Sequence, residues 1–451
     1  MALLDRISIH GFRSARDVEL TPRRMCALVG EASSGKSSVL TAIWMLLESA
    51  APVPNANDVF HGAQDGRIRL EAASGERHFF LDARPPATLN LNREGAPPVV
   101  FLPASLRGGT VVSEASHPKA KRAAAIIRPT EGDVDGGAAA IAGIERLLDA
   151  RVRGVVVLIE EPELFLSPQS QRHLYRLLRA LAERGNQVLY ATHASSFLSV
   201  THLDELALVR HRPGAGTVLS QPRQLASDDT FRALAEFDAE RAELFLSRAA
   251  LLVEGVTEKL TLPLVFDALG YEPDREAILI LETGGKANMP LFARICNECG
   301  IPYVVLHDRD APKGRVPNES EQITNAAIAE IAGKKRIVQL VPDFEGVIGL
   351  RPSRNRRSRK PERAVRQFRG GQSVPQELTR AVEKVVAAAR GRRRATGAAA
   401  AQPPKPPPGG DGATSAAPRA AHAPPPGALP LRARSGRARG TRAEESEAAS
   451  A

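Results

Sequence analysis

Short, wholly apolar runs alternate along this chain with longer stretches in which apolar positions recur every three or four residues. The runs at residues 24–29, 154–159, 187–190, 249–253 and 302–306 are too short to cross a membrane. Their continuity predicts strands of a parallel sheet buried on both faces. Helical spacing follows the first run at residues 38–49 (S-V-L-T-A-I-W-M-L-L-E-S). It also follows the second, where Ser167 is set to cap a helix, Pro168 to open it, Leu174, Leu177, Leu178 and Leu181 to line its buried face, and Gly185 to stop it. Strands alternating with helices predict an α/β fold. Residues 217–248 read as a helical, charge-mixed connector. From about residue 396 the text is Ala, Pro and Gly with scattered Arg, which cannot bury enough apolar area to order itself, so a disordered tail is expected.

The first strand runs into G-E-A-S-S-G-K-S at residues 30–37. In this pattern Gly30 and Gly35 let backbone N–H groups curl around phosphate oxygens, with Ser34 and Ser38 beside them. Lys36 brings a positive charge to the β/γ-phosphates, and the Ser37 hydroxyl faces Mg²⁺. The helix that follows would set its N-terminus under the phosphates. A nucleoside triphosphate is therefore the expected ligand. The second strand ends in Glu160-Glu161, and two carboxylates there are unfavourable unless a cation or substrate is present. Glu160 is placed to reach Mg²⁺, and Glu161 to polarise the attacking water. The third strand ends in Ala191-Thr192-His193, where His193 is a candidate sensor of the γ-phosphate.

Together these residues resemble the ATP-binding-cassette class of P-loop ATPases, which implies ATP as that ligand. More narrowly, they resemble the branch shared by chromosome-maintenance proteins, recombination mediators and the overcoming-lysogenization-defect (OLD) family. I-S-I-H-G-F-R-S at residues 7–14 matches that branch's opening strand, and E-E-P-E-L-F-L-S-P at 160–168 its second acidic motif. Glu160 stands where the family usually carries Asp. The signature loop that reaches a partner's nucleotide has one candidate, Gly136-Gly137, which lacks the expected serine. Pro and Gly interrupt residues 85–137, which excludes a long coiled coil and argues against a chromosome-condensing role.

The strand at 249–253 ends in Glu254-Gly255-Val256-Thr257-Glu258, and the strand at 302–306 in His307-Asp308-Arg309-Asp310. In a parallel α/β sheet, ligand chemistry gathers beyond the carboxyl ends of the strands, so both acidic groups should converge. Asp308 and Asp310 are two apart, so an extended backbone would point both the same way. Four carboxylates in one cleft call for one or two divalent cations, and oxygen-only ligation suits Mg²⁺ or Mn²⁺. This order of motifs resembles the Toprim domain of topoisomerases, primases and OLD nucleases. Further family-like text follows in G-G-K at 284–286, Pro342-Asp343-Phe344-Glu345 and Lys360-Pro361. The resemblance implies that Glu254, Glu258, Asp308 and Asp310 hold metal, with Glu254 also a candidate base. It adds Glu345 as a later metal ligand and Lys360 as a neutraliser of charge at the scissile phosphate.

A net charge of +10 suggests a polyanionic partner, but the first 350 residues are mildly acidic. The basic character sits in R-P-S-R-N-R-R-S-R-K at 351–360 and in the tail. This strip reads equally as a track for a DNA backbone, with salt-dependent and sequence-independent affinity, or as a solubilising segment. Aromatic residues make up only 4%, which disfavours base stacking. Cys296 and Cys299 fall in a stretch with helical spacing and read as core residues. With no leader and no long apolar run, a cytoplasmic protein without membrane contact is expected.

The whole predicts an α/β chain: an ABC-type ATPase domain over 1–222, a helical connector over 223–247, a Toprim domain over 248–370, and a basic helical segment with a disordered tail over 371–451. The function implied by resemblance is an ATP-binding, metal-dependent DNA endonuclease that cleaves phosphodiester bonds at a Toprim two-metal site gated by the ABC-type ATPase, expected as a homodimer and acting in DNA repair or defence against phage. The alternative is a recombination-mediator-like ATPase that loads on DNA without cutting it. A topoisomerase is disfavoured by the four tyrosines, none in a separate strand-passage domain, and a primase by the lack of a zinc module ahead of the Toprim motifs.

Overall fold

A computed structural model describes residues 2–61, 65–104, 112–130, 136–238, 240–312, 315–350 and 360–394. The first compact unit, Met1–Ala399, holds all of these residues. The basic stretch 351–359 and everything from residue 395 onward, the expected tail included, lie outside the described residues.

The first unit holds two sheets, of eleven and four strands. In the larger, five neighbouring strands run parallel: Leu206–Arg212, Met25–Val29, Gln187–Thr192, Val156–Glu160 and Val99–Leu102. An antiparallel block continues it through Gly216–Ser220, Ala15–Leu20, Arg6–Phe12, Ile68–Ser74, Arg77–Arg84 and Thr88–Asn92. The parallel strands read as continuous apolar runs because both faces are covered. Met25, Ala27 and Val29 enter one hydrophobic cluster, while Cys26 and Leu28 enter another on the opposite face. The helix Lys36–Leu47 covers the second face. Gly136–Asp149 and Pro168–Glu183 cover the first through Ile144, Leu147, Leu174, Leu178 and Leu181. Ser167 caps the latter helix, accepting from the Ser170 N–H at 3.2 Å.

The four-stranded sheet is parallel throughout, in the order Ile278–Glu282, Ala249–Val253, Tyr303–Asp308, Ile337–Leu340. Its faces also differ in allegiance. Ala250, Leu252 and Val305 join the cluster that spreads from the large sheet, so the two sheets share one core, whereas Ala249, Leu251 and Val253 face the opposite side. That side is covered by Val256–Ala268, Lys360–Arg369 and Gln376–Arg394. The last helix lies beyond the residue-370 boundary expected from sequence, yet Leu378, Ala381, Val382, Val385 and Val386 all enter this core. The connector also begins later than residue 217, because Gly216–Ser220 is a strand. Its helical parts are Ser227–Glu236 and Arg241–Leu246. Cys296 and Cys299 are buried in the shared core. Among the described residues no helix is long and apolar enough to cross a membrane.

Candidate active sites

Three parallel strands, Met25–Val29, Gln187–Thr192 and Val156–Glu160, end side by side at one edge of the large sheet. The phosphate loop leaves the first of them. At Gly30 a Cβ would lie 2.0 Å from the Val209 carbonyl oxygen. At Gly35, where φ is +105°, it would lie 2.0 Å from Thr217 Oγ1, so neither position admits a side chain. Lys36 is buried and donates to the carbonyls of Gly30 at 2.9 Å and Glu31 at 2.8 Å. Burial lowers its pKa to about 8, while Glu161, Glu163 and Glu31 pull the other way. Ser37 is exposed, and Ser38 Oγ lies 3.3 Å from Ser14 Oγ. The buried Ser34 hydroxyl has no hydrogen-bond partner, which fits a phosphate oxygen at the helix N-terminus.

Glu160 Oε2 accepts from the Ala104 N–H at 3.2 Å. Glu161 adopts φ +47°, a conformation a non-glycine residue holds only when its surroundings enforce it. Here its N–H donates to the Ala191 carbonyl at 2.8 Å. His193 Nε2 lies 3.9 Å from Glu161 Oε1. Burial, then Lys36, lowers the His193 pKa against the pull of Glu161, which favours a neutral imidazole. Sequence reasoning passed over Glu163, the third acid of E-E-P-E. It accepts from Thr192 Oγ1 at 2.8 Å and from the His193 N–H at 2.6 Å, tying the histidine to the acidic loop. Gly137 serves packing: a Cβ there would lie 2.5 Å from the Phe165 carbonyl oxygen.

The second site forms at the carboxyl edge of the small sheet. Glu254 follows one strand, Glu258 sits in the first turn of Val256–Ala268, and Asp308 ends the neighbouring strand. The Asp308 N–H donates to Glu254 Oε1 at 2.7 Å, so the two acidic motifs do meet. Asp310 reaches the same cleft by a different route from the extended backbone expected. Its φ is +60°, and its N–H donates to the Pro342 carbonyl at 2.9 Å, so the chain turns after Asp308. Burial, then Glu254, Glu258, Asp310 and Asp343, drives the Asp308 carboxyl up to about 9. Glu254 and Glu258 are each pushed up to about 7, first by burial, with Glu345 among the charges acting on Glu258. Lys360 pairs with Glu345 at 2.7 Å.

Two basic groups thus occupy carboxylates of the cleft, since Lys286 Nζ lies 2.5 Å from Asp310 Oδ2 and 2.8 Å from Glu321 Oε2. As the side chains stand, no three His, Cys, Asp or Glu among the described residues are set to hold a metal ion. The donor set nevertheless fits one. Every candidate ligand is an oxygen, and the buried Asp308 Oδ1 has no hydrogen-bond partner. Sequence reasoning did not assign Lys286, Glu321 or Asp343 to the site. G-G-K was a visible signal for the lysine, whereas Glu321 looks like any first-turn helix acid.

Residues 245–310 match the Toprim domain of overcoming-lysogenization-defect-like proteins, residues 139–199 an AAA domain, and residues 1–66 a protein family of unknown function, DUF2813. The OLD nuclease of Thermus scotoductus is 35% identical over 213 residues, 43% of this chain and 40% of that protein. The similarity to the OLD family thus rests on the Toprim-matching segment and on part of the curated relative. The Old nuclease of Escherichia phage P2 is 27% identical over 168 residues, 36% of this chain and 29% of the relative. The chain therefore spans well under half the length of either relative. The C-terminal region of the Burkholderia pseudomallei OLD protein matches with 17% identity and a TM-score of 0.26, over 32% of this chain and 99% of that one.

Proposed function

We propose that this chain is an OLD-like, ATP-gated, Mg²⁺- or Mn²⁺-dependent DNA endonuclease of the cytoplasm with a Toprim two-metal site, working as a homodimer in DNA repair or defence against phage. The observation that carries the proposal is the meeting of Glu254 and Asp308, whose buried Oδ1 has no hydrogen-bond partner. Glu254, Glu258, Asp308, Asp310 and Glu345 would hold the metal. A bound divalent ion activates the attacking water and stabilises the leaving oxygen of a phosphodiester. The chain's own groups do the rest. Glu254 is placed to hold a proton beside the Asp308 backbone, and Lys360, released from Glu345, supplies positive charge to the scissile phosphate. At the other site, Gly30, Ser34, Gly35, Lys36, Ser37 and Ser38 cradle ATP and Glu160 supports its Mg²⁺. Glu161 orients water there, and His193 senses the γ-phosphate. Contacts to DNA would follow the backbone without sequence preference.

Cleavage of supercoiled plasmid by the full chain with Mg²⁺ or Mn²⁺, with and without ATP, tests this. Cleavage should vanish in the double variant Asp308→Ala, Asp310→Ala; if it survives, the assignment of the cleft is wrong. The pairing of Lys286 and Lys360 with cleft carboxylates favours a second reading, an ATPase that loads on DNA without cutting it. A wild type that binds plasmid but leaves it intact under all metals would establish that reading instead.

A further inference from the structure

The two groups set against the γ-phosphate do not hold each other. His193 Nε2 lies 3.9 Å from Glu161 Oε1, beyond hydrogen-bonding distance. Glu163 bridges the gap instead, using both of its carboxylate oxygens on the strand end opposite. Oε2 accepts from the Thr192 hydroxyl at 2.8 Å, and Oε1 from the His193 N–H at 2.6 Å. Thr192 is fully buried, and its Oγ1 accepts in turn from the Ala194 N–H at 3.0 Å. The main chain is thus gripped at His193 and again one residue on, which fixes the direction in which the imidazole leaves it. A second strap runs beside the first. Gln171, in the helix Pro168–Glu183, donates to the Leu166 carbonyl at 3.0 Å and accepts from Ser196 Oγ at 2.6 Å. On the acidic side the loop is braced as well, since the Leu164 N–H donates to the Glu161 carbonyl at 3.1 Å and the Leu166 N–H to the Glu163 carbonyl at 3.2 Å. Burial pushes the Glu163 carboxyl up, while the His193 N–H and the Thr192 hydroxyl pull it down. A carboxylate withdrawn from water is unfavourable unless its oxygens are satisfied, and the His193 turn is what satisfies them.

We propose that Glu163 is a positioning residue for ATP hydrolysis, clamping the His193 turn to the Glu161 loop so that sensor and water-orienting carboxylate face one γ-phosphate at a fixed separation. The inference rests on the roles proposed above for Glu161 and His193 and deepens them. Phosphoryl transfer is accelerated chiefly by placement, so a shift of about 1 Å in one such group costs up to about a hundredfold in rate. Glu163 also acts through space. Burial lowers the Lys36 pKa, and Glu163 is among the acids that oppose it. A variant that loosens the clamp and keeps the charge is therefore part of the test.

Steady-state ATP hydrolysis by the full chain with Mg²⁺, set beside binding of a fluorescent ATP analogue, provides that test. Glu163→Gln should lower kcat by about tenfold or more and leave affinity for the analogue unchanged. Thr192→Val removes one strap and no charge. It should move kcat in the same direction by a smaller factor, and it carries the test if Glu163→Gln does not fold. In a His193→Ala background Glu163→Gln should slow hydrolysis no further, because it acts through that residue. Three results would overturn the inference and leave the roles of Glu161 and His193 standing. They are an unchanged kcat in Glu163→Gln (or in Thr192→Val where that variant carries the test), affinity lost in step with rate, and effects of His193→Ala and Glu163→Gln that multiply. A wild type that hydrolyses no ATP, or a His193→Ala variant as fast as the wild type, would overturn those roles and this inference with them.

Discussion

At Gly35 a methyl group has nowhere to go, since φ is +105° and Thr217 Oγ1 would lie 2.0 Å from it. Gly35→Ala should destabilise the chain by about 1–3 kcal/mol and abolish binding of a fluorescent ATP analogue. Unchanged affinity in that variant would contradict the phosphate site. Asp308 makes the opposite case. Its carboxyl is crowded by burial and by four neighbouring acids, so Asp308→Asn relieves repulsion that nothing but a cation can otherwise offset. The expected outcome is a higher melting temperature for the metal-free protein together with loss of Mn²⁺ uptake. A lower one would show that the charge supports the fold. Both residues were legible as motif members. The left-handed turn at Asp310 was not, because spacing in sequence carries no information about φ.

An ion pair joins the phosphate loop to the edge of the small sheet. Arg248, the residue before the strand Ala249–Val253, donates from Nε and Nη2 to the Glu31 carboxylate at 2.8 and 2.5 Å. Glu31 also accepts from Lys36 through its carbonyl, so a lysine drawn to a γ-phosphate disturbs the residue that grips the Toprim strand. The pair is partly solvated, so Arg248→Ala should lower stability by at most about 1 kcal/mol while weakening the ATP dependence of plasmid cleavage. An unaltered ATP response would exclude this contact from the coupling. The helix Gln376–Arg394 makes a packing case. Val385 is buried against Ala249, Leu251 and Val253, and Val385→Asp should cost about 3 kcal/mol or more in a urea melt. A neutral effect would mean that the helix is not part of the Toprim core. Sequence spacing showed that this segment is helical, but its basic composition hid which face is buried and against what.

For the whole molecule, the cleft should dominate how metal-free stability changes with pH. Burial and mutual repulsion raise Asp308 to about 9 and Glu254 and Glu258 to about 7, from ordinary values of 3.8 and 4.5. For groups raised on folding, the stabilising contribution is complete below the ordinary values and is lost as pH rises through the folded ones. Melting temperature without metal should therefore fall as pH rises from about 4 to about 9. Added Mg²⁺ or Mn²⁺ should reverse the fall by taking the place of the protons. A melting temperature that is flat with pH, with or without metal, would indicate that these carboxylates are not gathered as described.

Sequence by itself determined the buried strands, the helix caps, the phosphate loop and the acids at strand ends. These follow from local periodicity and from the fixed chemistry of strand and helix termini. Only the tertiary structure decided that the two sheets share a core, that a basic helix beyond residue 370 closes the smaller one, and that Lys286 and Glu321 enter the acidic cleft. Burial and charge act through space between residues that chain order keeps apart, so no spacing along the chain could announce them.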